Sequence, residues 1–217
     1  MTQLGEGVAV GVVSEIEVAK GDDDKKKDKC KRIYIHAFRG DRSRDAMEEF
    51  DAKLEDGRTG TGPGPSGQDC LLYTGHVGIS FEADSPIYAF NPDTGTEPSW
   101  QVIENLKKNQ GSSKPYPGAV TDDTSVFSAA KSRGLSVVKL ELVYPESKFN
   151  EIKQRFDAEK GKSEFHYSFP GRGGDCNCAT WPRKLGVFIP EGSGVMKAYV
   201  EAMGKSESPR KMGVCEE

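Results

Sequence analysis

The stretch GGDCNCATWPRKLG, residues 173–186, sets two cysteines one residue apart where a glycine-rich turn gives way to a helix-forming run. Metal ligation, half of a disulfide and a nucleophile are the three chemistries open to such a pair. A thiol becomes strongly nucleophilic when its thiolate is favoured, which a helix N-terminus and a neighbouring imidazole both promote. Cys178 meets the first condition if the helix starts near Ala179. Pro182 is compatible, because the first helical turn has no N–H bond to lose. Cys176 falls in the preceding turn, so Cys178 is the expected nucleophile, and a disulfide to Cys176 would place it under redox control.

A base must then come from three histidines, His36, His76 and His166. His76 lies in TGHVGISFE, residues 74–82, where it follows a glycine and opens a strand whose VGISF alternates like a half-buried sheet. The run IYAFNPD, residues 87–93, reads as its hairpin partner across ADSP. A turn centred on Asp84 and Ser85 would bring Asn91 or Asp93 roughly opposite His76. Either could orient the imidazole and complete a Cys-His-polar triad. Tyr73, on the approach to His76, is a further polar candidate. Taken singly, a strand-opening histidine is more often structural and a buried cysteine more often an inert small hydrophobe.

The surrounding chain reads as alternating strands and helices. VAVGVVSEIEVA (7–18) and RIYIHAF (32–38) have the pattern of two strands joined by the charged loop GDDDKKKDKCKR. SRDAMEEFDAKLED (43–56) spaces Met47, Phe50 and Leu54 as an amphipathic helix does, with Ser43 or Asp45 at its cap. GRTGTGPGPSGQ (57–68) reads as a flexible connector and 71–82 as a strand. Residues 93–124, polar and rich in Gly, Pro and Ser, read as a long loop or lid with a short helix at SWQVIENLKKN. LSVVKLELVYP (135–145) is a strand and ESKFNEIKQRFDAEKG (146–161) a helix. FHYSF is a short extended run, PGRGG a turn and SGVMKAYVEAM (193–203) a further helix. Residues 1–60 would then form an N-terminal extension and 61–217 the main unit, the catalytic one if the pair is a nucleophile and base.

Composition narrows the function. With 35% hydrophobic and 29% charged residues, the 217-residue chain suits one well-buried globular core. A net charge of -4 supplies no basic field for nucleic acid. The N-terminus has neither the basic start nor the apolar run of a signal peptide, and no window approaches a membrane span. Synthesis in the cytoplasm is the expectation, with export left to a route that needs no cleavable signal. Five cysteines without C-x-x-C spacing argue against a disulfide framework and against zinc. A metal site of Cys176, Cys178 and His166 is the weaker rival, because no fourth ligand lies near in sequence. No metal or organic cofactor is expected.

GHVGISFE, then IYAFNPDTG, and much later NCATWPRKLGV together resemble the permuted papain-like superfamily. There a G-H-x-G-[IVL] strand precedes an N-C-x-x-[FW] helix start. The superfamily includes lecithin:retinol acyltransferase-like enzymes, YiiX-like lipid hydrolases and permuted relatives of NlpC-type cell-wall peptidases. Histidine before cysteine is the mark of the permutation, and the resemblance spans about residues 70–190. It implies an α+β fold, with an antiparallel sheet packed on helices and the nucleophile at a helix N-terminus. His76 would be the general base and Cys178 the nucleophile. The Cys178 N–H and that of a neighbour, Ala179, would serve the oxyanion, and Asn177 would shape the turn.

That chemistry is attack of a thiolate on a carbonyl through an acyl-thioester. The triad alone does not choose between an amide in protein or peptidoglycan and an ester in a phospholipid or other acyl lipid. Polar loops without an apolar tail favour the amide. Small size and polar loops also resemble effector or toxin domains, which implies a cognate inhibitor or immunity protein as partner. A papain-like fold that has lost its chemistry and only binds is the alternative outside enzymes.

Overall fold

The computed structural model describes residues 29–83, 86–108, 116–161, 163–168, 176–187 and 210–211. The expected strand at 7–18, the turn at Asp84 and Ser85, the PGRGG turn and the helix at 193–203 lie outside them. The architecture is α+β, an antiparallel sheet of six strands packed with helices, to which a two-residue seventh strand adds in parallel.

Everything is arranged around β1 (Cys30–Arg39), whose residues 33–38 are all buried. A strand buried on both faces must be apolar on both, and alternation divides its side chains. Ile33, Ile35 and Ala37 enter one cluster with Val77, Ile79, Leu140, Leu142, Ile152 and Phe156. Phe38 enters the opposite one with Leu72, Ile87, Val126, Phe127 and Ala130. Each fully buried aliphatic or aromatic side chain contributes about 2 kcal/mol.

After β1 comes α1 (Arg44–Thr59), capped by the Ser43 hydroxyl, which accepts from Ala46 N at 3.3 Å. Of its expected apolar stripe Phe50 is buried, whereas Met47 is 40% exposed. The connector is shorter than the sequence suggests, and residues 71–74 are helical, not extended. The helix α2 (Gly67–Thr74) starts in a reciprocal cap in which the Ser66 hydroxyl accepts from Asp69 N at 3.1 Å and the Asp69 carboxylate accepts from Ser66 N at 3.0 Å. Such a cap outweighs the strand-like look of Leu71, Leu72 and Tyr73.

The strand β2 (Gly75–Ser80) follows without a loop. Gly75 makes the change of direction with φ 85°, and a Cβ there would lie 2.7 Å from Gly40 N and 2.8 Å from Phe38 O. Gly78 has a different reason. A Cβ at this position would meet Ile87 Cγ2 at 2.7 Å, so the second glycine of GHVG lets β3 (Tyr88–Pro92) approach.

Among the described residues, 93–124 are not one long loop. They hold α3 (Ser99–Lys108) and β4 (Tyr116–Asp122), and α4 (Thr124–Ser132) follows at once. Pro117 and Gly118 disguise β4 in the sequence; β4 pairs antiparallel with β3, Phe90 facing Val120. The anticipated β5 (Val137–Pro145) and α5 (Glu146–Glu159) come next, then β6 (His166–Tyr167), α6 (Trp181–Leu185) and β7 (Arg210–Lys211). The sheet order is β6-β4-β3-β2-β1-β5-β7. β1 is flanked by β2 and β5, both antiparallel, so the strand contributed by the N-terminal segment is interior to the sheet.

His36 illustrates the two-sided burial. It is 6% exposed, its Nε2 lies 2.9 Å from Ser80 Oγ, and Phe127 meets the ring edge-on at 6.0 Å. Ser80 gives its own proton to the Glu82 carbonyl at 3.0 Å, so the imidazole donates from Nε2. Burial, then the charges of Lys139 and Lys131, lower its pKa from 6.5 to about 4. The unfolded chain therefore takes the proton first, and this residue's penalty grows as pH falls from 6.5 towards 4. We predict a loss on the order of 3 kcal/mol across that window, flattened in His36→Phe and read by denaturant titration at stepped pH.

Candidate active site

The turn before α6 is built by one side chain. Asn177 Oδ1 accepts from Ala179 N at 3.0 Å and from Thr180 N at 2.9 Å, and its carbonyl accepts from Trp181 N at 2.9 Å. Thr180 answers by accepting from Asn177 N through Oγ1 at 2.9 Å. Asn177 is thus the effective cap and Cys178 the first residue of the turn. These bonds consume the N–H groups of Ala179, Thr180 and Trp181, and that of Cys178 is not among them. The turn-shaping expected of Asn177 is what the geometry holds. Ala179 is a correction: its N–H is spent on Asn177 Oδ1 and is not free for an oxyanion. Asn177→Ala should cost about 1 kcal/mol in thermal or denaturant unfolding.

Around Cys178 the packing is apolar. The thiol is 9% exposed and shares the core cluster of Phe90, Ala179 and Trp181. His76 is wholly buried on the other face of the sheet, between Phe38 at 6.4 Å and Phe127 at 5.7 Å. Cys178 nonetheless acts on the ring electrostatically, helping to raise its pKa. β2 and β3 pair at one position, Ile79 with Tyr88.

The imidazole is gripped from behind. Its Nε2 lies 2.6 Å from Asp123 Oδ2. Asp123 in turn receives Asn91 Nδ2 at 2.7 Å on the same oxygen and Thr121 Oγ1 at 2.8 Å on the other. Nδ1 is buried without a hydrogen-bond partner, which makes it the nitrogen available to a thiol. Burial by itself would lower the His76 pKa. The Asp123 hydrogen bond, then the hydrogen bond and charge of Cys178, overcome it and raise the value from 6.5 to about 9. Burial likewise works to raise the Asp123 carboxyl, and the His76 hydrogen bond and charge, with Asn91 and Thr121, leave it below the usual range. An imidazolium beside the Asp123 carboxylate is the charge state this arrangement favours.

Asp123 replaces both residues the sequence offered for this position. Asn91 stands one step back, orienting the carboxylate, and Asp93 is exposed and accepts from Gly95 N at 3.2 Å. Tyr73 belongs elsewhere, stacked on Phe50 at 4.1 Å under the Arg42 guanidinium. Asp123 hides in TDDTSVF because it sits at the N-cap of α4 and looks like an ordinary cap. Its side chain makes no cap bond, since Asp122 Oδ1 accepts from Thr124 N at 3.0 Å and releases Asp123 for His76. An aspartate pair before a helix, one of them superfluous as a cap, was the available signal.

Cys70, Cys176 and Cys178 are buried and outside any disulfide, while Cys30 is disulfide-bonded. His166 is exposed, and among the described residues no three His, Cys, Asp or Glu side chains cluster as metal ligands would. No helix among them is long and apolar enough to cross a membrane. Comparison with protein-family models, curated proteins and solved structures finds no match for this chain.

Proposed function

We propose that the protein is a thiol acyl hydrolase of permuted papain-like type, with Cys178 as nucleophile, His76 as proton carrier and Asp123 as the residue that orients and charges the imidazole. The observation that carries this reading is the line Asp123–His76–Cys178: a buried ring held at 2.6 Å by a carboxylate on Nε2, with a thiol at the start of a capped turn for its other nitrogen. The thiolate attacks the carbonyl carbon, and the carbonyl electron pair moves onto oxygen beside the Cys178 N–H. Collapse expels the leaving amine or alcohol, which takes its proton from His76. Water, deprotonated by the neutral ring, then cleaves the thioester.

Amide cleavage in protein or peptidoglycan is the substrate class favoured by the polar loops, and an acyl ester of a lipid is the second. Delivery as an effector toxin, restrained by a cognate inhibitor in the producing cell, fits the same size and composition. A binding module of the same fold predicts an inert thiol.

Alkylation by iodoacetamide at neutral pH, mapped by mass spectrometry, separates enzyme from module. Cys178 is expected to label far faster than Cys70, and Cys178→Ala to abolish hydrolysis of whichever peptide, peptidoglycan or lipid ester the wild type cleaves. Slow labelling of Cys178, no faster than that of Cys70, overturns the catalytic reading.

A further inference from the structure

Resting on that reading, one requirement is unmet: a tetrahedral oxyanion needs more than one donor, and the turn offers only the Cys178 N–H, since Ala179 and Thr180 donate to Asn177. The neighbouring element is β6. Cys176 runs alongside it, its N–H donating to His166 O at 2.8 Å and its carbonyl accepting from Ser168 N at 2.9 Å, so Tyr167 lies beside the chain just before the nucleophile. Its ring is fixed by stacking on Phe90 at 5.7 Å, and Phe90 also stacks with Trp181 of α6 at 5.9 Å. Strand and helix start are thereby keyed to one aromatic platform.

The Tyr167 hydroxyl makes no hydrogen bond among the described residues, and the residue is partly buried, packed against the core cluster that contains Cys178. We infer that Tyr167 is the second oxyanion donor, its phenol O–H hydrogen-bonding the carbonyl oxygen of an acyl substrate as the Cys178 thiolate adds to the carbon. Burial and the charge of Cys178 hold the phenol well above its ordinary range, so it remains a donor throughout the working pH. Neither bond making nor bond breaking involves the phenol itself. The C=O pair becomes the oxyanion lone pair, accepts the two hydrogen bonds and re-forms the double bond as the leaving group departs.

Tyr167→Phe tests this because it keeps the ring and deletes only the hydroxyl. Two reagents divide the outcomes. Iodoacetamide reacts at the thiol by displacement of iodide without an oxyanion, whereas p-nitrophenyl acetate acylates it through one. In Tyr167→Phe the alkylation rate of Cys178 is expected within about twofold of wild type, while acylation falls on the order of 10²-fold. Acylation at the wild-type rate overturns the assignment and leaves the triad standing. A parallel fall of both rates also overturns it, since the hydroxyl would then act on the thiol. If wild-type Cys178 is slow towards both reagents, the thiol-hydrolase reading itself fails.

Discussion

His76→Ala should lower acyl hydrolysis by on the order of 10³-fold or more and reduce Cys178 alkylation at neutral pH to the rate of Cys70. The ring is fully buried, and in the proposed mechanism its loss removes the cation and the proton carrier together. An alanine also leaves Asp123 buried with only Asn91 and Thr121 to satisfy it, so the variant should lose stability as well. Labelling kinetics on the folded fraction keep these effects apart. Wild-type pH dependence gives a second readout. A pKa raised from 6.5 to about 9 adds stability that is complete below 6.5 and is lost as pH rises through 9. That alkaline loss should vanish in His76→Ala. Unchanged Cys178 labelling in the variant would instead favour the binding module.

Asp123→Asn should cost on the order of 10²–10⁴-fold in hydrolysis while largely preserving the fold. The amide is nearly isosteric but neutral, and one end of it is a donor that cannot accept from Asn91, Thr121 or His76. Because the Asp123 hydrogen bond and charge are two of the causes that raise the His76 pKa, the ring should titrate well below 9 in the variant. Nitrogen-15 NMR of the imidazole reads this directly, and the alkaline limb of the rate profile should move down with it. A His76 titration unchanged by Asp123→Asn would remove Asp123 from the site. Substituting Asp93, whose exposed side chain accepts from Gly95 N in its own turn, should do little to either quantity.

Local patterns carried much of the chain. β1, α1, β3, α3, β5, α5 and β6 were readable because their spacing of apolar residues and their caps are written in consecutive positions. α2 was misread because a reciprocal cap at Ser66 and Asp69 decides the following turn against the local taste of Leu71, Leu72 and Tyr73 for a strand. β4 was missed for a related reason: Pro117 and Gly118 argue against a strand, and only its pairing with β3, Asn91 opposite Ala119, makes it one.

For the proposed site, the sequence by itself singled out the candidate pair. Cys178 in the turn after Asn177, and His76 between the two glycines of GHVG, stand out by local chemistry: a cap, a turn and a close backbone approach. It did not determine what holds the imidazole. Counting across a hairpin offers only residues of the adjacent strand, whereas Asp123 comes from the junction of β4 and α4, 47 residues from His76, held by the Asn91 and Thr121 side chains. Nor did it reveal that Ala179 is spent as a donor and that Tyr167 stands beside the turn. Hydrogen-bond allocation depends on which groups remain unpaired after every element has packed, and that is decided only in the tertiary structure.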